Sequence, residues 1–355
     1  MALADSPDGT APHATATPAS RERIHAPPKT ELAVVVVNFC QWQNTTRLVR
    51  QLRRSVAVRE QRAEIRIIDN GSPAHPLAVR VSRLHGVTVR RYDDNLGFAA
   101  AVNRGCQQTA SEWILLLNPD ITVPDGFLDD VLNFVSRADV APEVGVIGFR
   151  LQNRDGTPQP SAGSFPTFAR TLAGLFLSRD RRKCDENPGA ERRPVEWVTG
   201  GCLLVRRECF LQLRGLDESF FLYYEDVDFC QRANANGWRV VFDPSLAVTH
   251  HWPLHARHVP APLRLITRHA LLTYARKHWP AWQSRLLSAL VWSEATGRQV
   301  LACLRGETAN RECYRRLRQM VREVAQERAT ETAASVRFAA NFLQPIAAEQ
   351  DGRTE

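Results

Sequence analysis

The sequence predicts an α/β protein built on a Rossmann-like, mostly parallel sheet with flanking helices, followed by a C-terminal helical extension. Three observations carry this. From residue 31 apolar runs of strand length alternate with segments of helical periodicity. Those runs are continuous and β-branched or leucine-rich, as strands buried on both faces must be. Beyond residue 255 the periodicity is helical, with an excess of arginine. A chain of 355 residues with 44% hydrophobic content is long enough to fill such a core.

Residues 1–30 are rich in Ala, Pro, Ser and Thr, and Pro7, Pro12, Pro18, Pro27 and Pro28 interrupt any regular element, which predicts a disordered arm. The first strand is "LAVVVVN", Leu32 to Asn38. Leu48, Val49, Leu52 and Val56 then recur at helical spacing after Asn44, and "IRIIDN", Ile65 to Asn70, is the second strand. "VTVRRY", Val87 to Tyr92, is the third. A helix through "GFAAAVNRGCQQ", Gly97 to Gln108, leads to a strand of Trp113, Ile114 and three leucines that ends in Asn118, Pro119 and Asp120. Strand, helix, strand in this order implies right-handed crossovers and a ligand crevice at the carboxyl ends of the strands. Asn38, Asp69, Asn70, Asn118 and Asp120 all fall at such ends. Each could instead cap backbone N–H groups where strand turns into helix; agreement among three strand ends favours a site.

No G-x-G-x-x-G follows the first strand, and no G-x-x-x-x-G-K-[ST] occurs anywhere. The crevice therefore lacks the cradles of hydride-transfer enzymes and P-loop ATPases. A diphosphate held through Mg²⁺ or Mn²⁺ is the remaining reading, because these ions take one or two carboxylates and leave other positions to water and phosphate. Asp120 suits that role.

The second half carries Glu225, Asp226 and Asp228 at the start of a helix that ends near Asn236 and Gly237. Carboxylates favour helix N-termini through the dipole, yet three acids beside an apolar run exceed what capping needs. One of them fits a general base, with Tyr223 and Tyr224 walling it from water. After the strand "WRVVFD", Trp238 to Asp243, His250 and His251 stand where a metal ligand is possible.

A formal charge of +8 suits nucleic acid, an anionic membrane or a phosphorylated substrate, but no helix-turn-helix, zinc-finger or RNP-type signature supports nucleic acid. The eight cysteines form no C-x-x-C pair, which predicts free thiols in a reducing compartment. There is no apolar leader-like segment and no run of eighteen apolar residues, so a cytoplasmic protein without a membrane span is expected.

The ordered series "VVVVNF", "IIDNGS", "NLGFAAAVNRG", "LLLNPD", "WVTGGCLLVRRECF" and "GLDESFFLYYEDVDFCQRANANGWRVVFDPSLAVTHH" resembles the family 2 glycosyltransferases of the GT-A fold, in their rhamnosyltransferase-like branch. The resemblance runs from Glu31 to about Trp252 and implies a catalytic domain over 31–255. It implies inverting transfer of a sugar, rhamnose from dTDP-rhamnose in this branch, to a hydroxyl of a cell-surface glycan or a polyprenyl-diphosphate-linked glycan. On these positions Asn38, Asp69, Asn70, Asn95, Gly97, Asn103, Asn118 and Asp120 would hold the donor nucleotide. Gly200, Gly201 and Glu225 would line the acceptor or donor side, Asp226 would be the base, and Asp120 with His250 would hold a divalent cation. Asn118 stands where the family's D-x-D element has its first acid, and His251 competes with His250. A transferase of another sugar, N-acetylglucosaminyl or galactofuranosyl, is the alternative, as is a nucleotide-sugar-binding protein without catalysis.

Residues 256–346 mix helical apolar spacing with Arg, Lys, His and tryptophans. Such helices either pack on the catalytic domain or lie against an anionic membrane; the second would place the protein peripherally on the cytoplasmic face of the inner membrane. Residues 347–355 are expected to fray.

Overall fold

The computed structural model describes residues 30–107, 109–137, 140–174, 191–252, 259–326 and 328–351. Apart from Thr30, the predicted N-terminal arm lies outside them. The first half runs β1 (Leu32–Asn38), α1 (Trp42–Leu52), α2 (Val56–Arg59), β2 (Ala63–Asn70), α3 (Pro76–Ser82), β3 (Val87–Tyr92), α4 (Phe98–Cys106), β4 (Trp113–Leu117), β5 (Ile121–Thr122) and α5 (Phe127–Ser136). The second half continues β6 (Val144–Gln152), β7 (Pro158–Gln159), β8 (Ala162–Gly163), α6 (Phe168–Gly174), β9 (Arg193–Pro194), β10 (Trp197–Val198), β11 (Cys202–Arg206), α7 (Arg207–Gln212), α8 (Glu225–Ala235) and β12 (Arg239–His250). Five helices follow: α9 (Ala261–His278), α10 (Ala281–Leu304), α11 (Thr308–Ala325), α12 (Ala329–Asn341) and α13 (Leu343–Gln350).

The main sheet has the order β3-β2-β1-β4-β11-β6-β12-β5. The pairs β2–β3, β1–β2, β1–β4 and β6–β12 are parallel, as the strand-helix alternation requires. β11 runs against both neighbours. Every residue of β1 and β4 is buried. Their side chains alternate between two cores: Leu32, Val34 and Val36 on one face of the sheet, Val35 and Val37 on the other.

Three expectations are corrected. Val56 opens a separate short helix rather than extending α1, because Arg53, Arg54 and Ser55 turn the chain between them. β12 continues beyond Asp243 to His250; its register shifts between Asp243 and Ala247, after which Ala247, Val248 and Thr249 pair with Arg150, Leu151 and Gln152. The apolar run stops at the irregularity while the hydrogen-bonded strand goes on. The chain also stays ordered past residue 347: α13 reaches Gln350, and the Asp351 carboxylate accepts from the Gln43 and Asn44 N–H groups at 2.9 and 2.8 Å. α1 has no side-chain cap of its own, so a distant carboxylate supplies it.

The C-terminal helices have a third core around Leu265, Leu272, Leu287, Val291, Leu317 and Met320, against which Phe221, Leu222, Tyr223 and Tyr224 also pack. α9 is bound to α8 through one carboxylate. Asp228, whose side chain is wholly buried, lies 2.7 Å from Arg232 Nε, 2.6 Å from Lys277 Nζ and 2.8 Å from His278 Nε2. Burial alone would raise this carboxyl; hydrogen bonds from His278 and Lys277 and the Arg232 guanidinium outweigh it and hold it at about 2. With a folded value below the ordinary 3.8, the contribution is complete above that value and is lost as pH falls through the folded one.

Urea unfolding across pH should therefore show wild-type protein losing about 2 kcal/mol more than Asp228→Asn between about pH 4 and pH 2. Parallel curves for the two proteins would show that the cluster adds no net stability.

Candidate active site

The parallel ladder ends at one level, where Asn38 pairs with Asp69 in register and Val36 with Leu117. Beyond it the chain has to satisfy its backbone with polar side chains. Asn38 Nδ2 donates to Asp69 Oδ1 at 2.9 Å and to Ser72 Oγ at 3.1 Å, and Thr45 Oγ1 donates to Asn38 Oδ1 at 2.8 Å. Arg91 Nε donates to Asp69 Oδ2 at 2.8 Å, and Arg91 Nη2 to Ser72 O at 3.0 Å. Asn38 and Asp69 have no exposed surface and brace this wall from beneath. Half-exposed Arg91 is the group of this network that reaches solvent.

Asn70 organises the next segment. Its Nδ2 donates to Asn95 Oδ1 at 2.9 Å and its Oδ1 accepts from Leu96 N at 2.9 Å, while Asn95 Oδ1 also accepts from Gly97 N at 3.0 Å. Gly97 has a φ of +89°, and a Cβ there would lie 2.8 Å from Phe221 O. That approach lets Phe98 N–H donate to Phe221 O at 2.6 Å, which ties this loop to the one before α8. Asn103 serves the same junction from below: it binds Leu216 N and O, each at 2.9 Å, and Glu218. Its amide is a buried brace, so the expected contact with donor is not made by Asn103 in this arrangement.

Asp226 stands in the first turn of α8, half-buried, and its Oδ2 accepts from Gly200 N at 2.8 Å. A Cβ on Gly200 would lie 3.7 Å from the Asp226 carboxylate, so the glycine turn gives it room at close range. Glu225 beside it is buried. Tyr223 and Tyr224, directly before them, both take left-handed backbone angles, with φ of 74° and 68°. Each such residue costs about 1–3 kcal/mol, and packing of the pair against the α9–α12 core sustains the turn that starts α8.

The same glycine turn reaches the tip of β4, where Asn118 N–H donates to Gly201 O at 3.1 Å. Asp120, 8% exposed, then faces His250, with Oδ2 and Nε2 3.5 Å apart. The partners of Gln159 fix the imidazole. Gln159 Nε2 donates to Asn153 Oδ1 at 2.7 Å and to His250 O at 2.6 Å, so its Oε1, 3.0 Å from His250 Nδ1, accepts the proton there. Nε2 is left to face the carboxylate oxygen, an approach that a positive charge between them, a proton or a metal ion, makes favourable. Two atoms bound to one ion at about 2.1 Å stand about 3.0 to 3.5 Å apart at octahedral to tetrahedral angles, so the pair fits a shared divalent cation. Gln159 would be the outer partner that orients the ligand.

His251 is directed elsewhere. Its Nε2 meets Thr122 Oγ1 at 2.8 Å and its Nδ1 accepts from Arg154 Nε at 2.9 Å; burial, then Arg47 and Arg154, push it down to about 4. Between the two histidines the geometry selects His250. Among the described residues no cluster of three or more His, Cys, Asp or Glu is placed to hold a metal. A cation here would have two protein ligands and take the rest from water and phosphate.

Arg91 and Gln159 were not singled out by sequence. Arg91 left a signal, an opposite charge in register with Asp69 across β2 and β3; Gln159 left none, since its partners are distant in the chain.

The crevice thus carries a carboxylate on one side of a glycine turn and a carboxylate–imidazole pair on the other. The chain belongs to glycosyltransferase family 2: residues 27–270 match the family described as "Glycosyltransferase like family 2". It is similar to the N-acetylglucosaminyl-diphospho-decaprenol L-rhamnosyltransferase of Mycobacterium tuberculosis, 33% identical over 238 residues that cover 62% of this chain and 76% of that one. The rhamnosyltransferase WbbL of Escherichia coli is 25% identical over 141 residues, 39% of this chain and 52% of that one. Among solved structures, the mannosyltransferase PcManGT from Pyrobaculum calidifontis, in complex with GDP-Man and Mn²⁺, aligns over 87% of both chains at 14% identity and a TM-score of 0.48.

Gly97→Ala should lose about 1–3 kcal/mol in urea unfolding, because the substitution meets both a left-handed angle and the Phe221 carbonyl. Gly156→Ala, also left-handed but with open space around it, is the comparison; an equal loss there would assign the whole effect to backbone angle.

Proposed function

We propose that the crevice transfers a sugar from a nucleoside diphosphate to an acceptor hydroxyl with inversion, and that the sugar is rhamnose carried by dTDP. The acceptor class is a polyprenyl-diphosphate-linked or cell-surface glycan. The observation that carries the reading is Asp226, a half-exposed carboxylate joined through the Gly200–Gly201 turn to the Asn118–Asp120 strand tip. The similarity to rhamnosyltransferases of two bacteria supports the sugar and the lipid-linked acceptor.

An inverting displacement needs one base on the acceptor face, and Asp226 suits it. Gly200 N–H holds Oδ2 and Val227 N–H holds Oδ1, 2.8 and 2.9 Å away, which fixes the plane of the carboxylate while leaving lone pairs for an incoming hydroxyl. The proton of that hydroxyl passes to Asp226 as its oxygen attacks the anomeric carbon. A leaving diphosphate needs charge stabilisation and not protonation, so a second acidic carboxyl of the glycosidase kind is not required. Asp120 and His250 would hold a divalent cation, Mg²⁺ or Mn²⁺, which when bound supplies that stabilisation. Asn118 lies beside them in place of a second acid, and Arg91 and Asn95 stand at the nucleoside end of the crevice.

Asp226→Asn keeps an acceptor for Gly200 N–H but cannot take a proton. Transfer should fall by about 100- to 10,000-fold with donor affinity nearly unchanged. Retained turnover would remove Asp226 from the role of base. A thermal-shift panel of nucleotide sugars, each with and without Mn²⁺, tests donor and cation together, since a ligand of the native state raises its stability. dTDP-rhamnose should give the largest shift and lose it with chelator, whereas Asp120→Ala and His250→Ala should show the small shift at all Mn²⁺ concentrations. A chelator-insensitive wild-type shift would rule out the cation.

A further inference from the structure

Of the ten large hydrophobic residues exposed among the described residues, six lie on α10: Trp282, Leu286, Leu290, Val300, Leu301 and Leu304, the last 81% exposed. At 100° per residue all six fall within one arc of about 100°. Ser293 and Gly297 lie in the same arc and Ala289 about 20° outside it, all three exposed. A 24-residue helix thus turns an apolar strip, interrupted at Ser293 and Gly297, to solvent while its other side, through Leu287, Val291 and Ala295, packs in the third core. The charges beside the strip are mostly positive: Arg285 flanks it on one side, and Arg298 and Arg305 on the other together with Glu294. From residue 261 to 305 there are seven arginines and lysines and a single acid, Glu294.

At the C-terminal end of the strip a cavity of about 330 Å³ opens between α9, α10 and α11. Arg264, Arg298 and Arg305 line it together with Leu301 and Tyr314, and Glu307 is the one carboxylate in the lining. The positive charge is under-balanced: Glu294 alone serves Arg264, Arg268 and Arg298, at 3.3, 2.8 and 2.9 Å. The buried Nε–H of Arg264 has no acceptor. Burial, then the neighbouring Arg298, push the Arg264 guanidinium below its usual range, and Glu294 opposes this only in part.

We propose that α10 lies in the interface of an anionic membrane, with its apolar strip among the acyl chains and a lipid phosphate headgroup seated in the Arg264–Arg298–Arg305 cavity. Leu301 belongs to both features, so headgroup and acyl chain would continue one into the other at that residue. No helix among the described residues is long and apolar enough to cross a membrane, and an amphipathic helix with a tryptophan at one end and arginines along its edges suits the interfacial position instead. The sign of the flanking charge selects an anionic surface over a second copy of this chain, whose corresponding face would bring like charges together. The inference is independent of which sugar the crevice transfers.

Co-flotation of the full chain with vesicles tests it. Binding is expected to phosphatidylcholine mixed with phosphatidylglycerol, to weaken with salt, and to be absent with phosphatidylcholine alone. Arg305→Ala should lower the partition coefficient by about fivefold, while Arg80→Ala, an equal charge change on α3, leaves it unchanged. Leu304→Asp, at a position too exposed to affect folding, should abolish flotation with the melting temperature unaltered. The proposal is overturned if wild-type protein does not float, if Arg80→Ala weakens binding as much as Arg305→Ala, or if Leu304→Asp still floats. Sedimentation as a dimer that Leu304→Asp dissociates would assign the strip to self-association. Stabilisation by inorganic phosphate without flotation would assign the cavity to a soluble anion.

Discussion

The crevice depends on where the parallel hydrogen-bond ladder stops. Adjacent strands β2, β1 and β4 lose their pairing within a few residues of one another, and each leaves peptide groups that need new partners. Asn38, Asp69 and Asn70 stand at those ends, with side chains that bind each other, Ser72, Arg91 and the Asn95–Gly97 loop. A polar floor results beneath the carboxyl ends of the strands. On that floor the Asn95–Phe98 segment, the β4 tip and the glycine turn before β11 are set in fixed relation, so the reacting groups inherit their positions from the sheet.

A second constraint comes from the helices. Asp226 is presented by a turn with two successive left-handed tyrosines, a conformation that local preference opposes. Phe221 to Tyr224 pack against the third core, Phe221 O accepts from Phe98 N, and Asp228 joins α8 to α9. The C-terminal helices are thus a support for the base as well as a surface of their own. Removing them would release the strained turn.

Much of this was legible in the sequence, for physical reasons that differ by element. β1 and β4 could be read almost to the residue because central parallel strands must be apolar on both faces; β3, at the sheet edge, was legible from its β-branched alternation instead. The far half of β12 was hidden, since the irregularity after Asp243 interrupts the apolar run but not the pairing. The positions of Asn38, Asp69 and Asn103 at the crevice were readable, yet their roles were not: a brace differs from a ligand-contacting group only through partners such as Leu216, 113 residues from Asn103 in the chain. His250 and His251 could not be separated, because the choice between opposite faces of a strand depends on a register that the irregularity shifts. The C-terminal helices were visible as basic and amphipathic; that one face of α10 is exposed among the described residues required the packed bundle.

Asp351 accepts the first free N–H groups of α1 from a position 308 residues after Gln43. At about 5–20 residues per second of synthesis, that carboxylate leaves the ribosome about 15–60 s after the helix it caps. The nascent chain therefore holds β1 and α1 with an open amino end until those 308 residues have been added, and docking of α13 closes it.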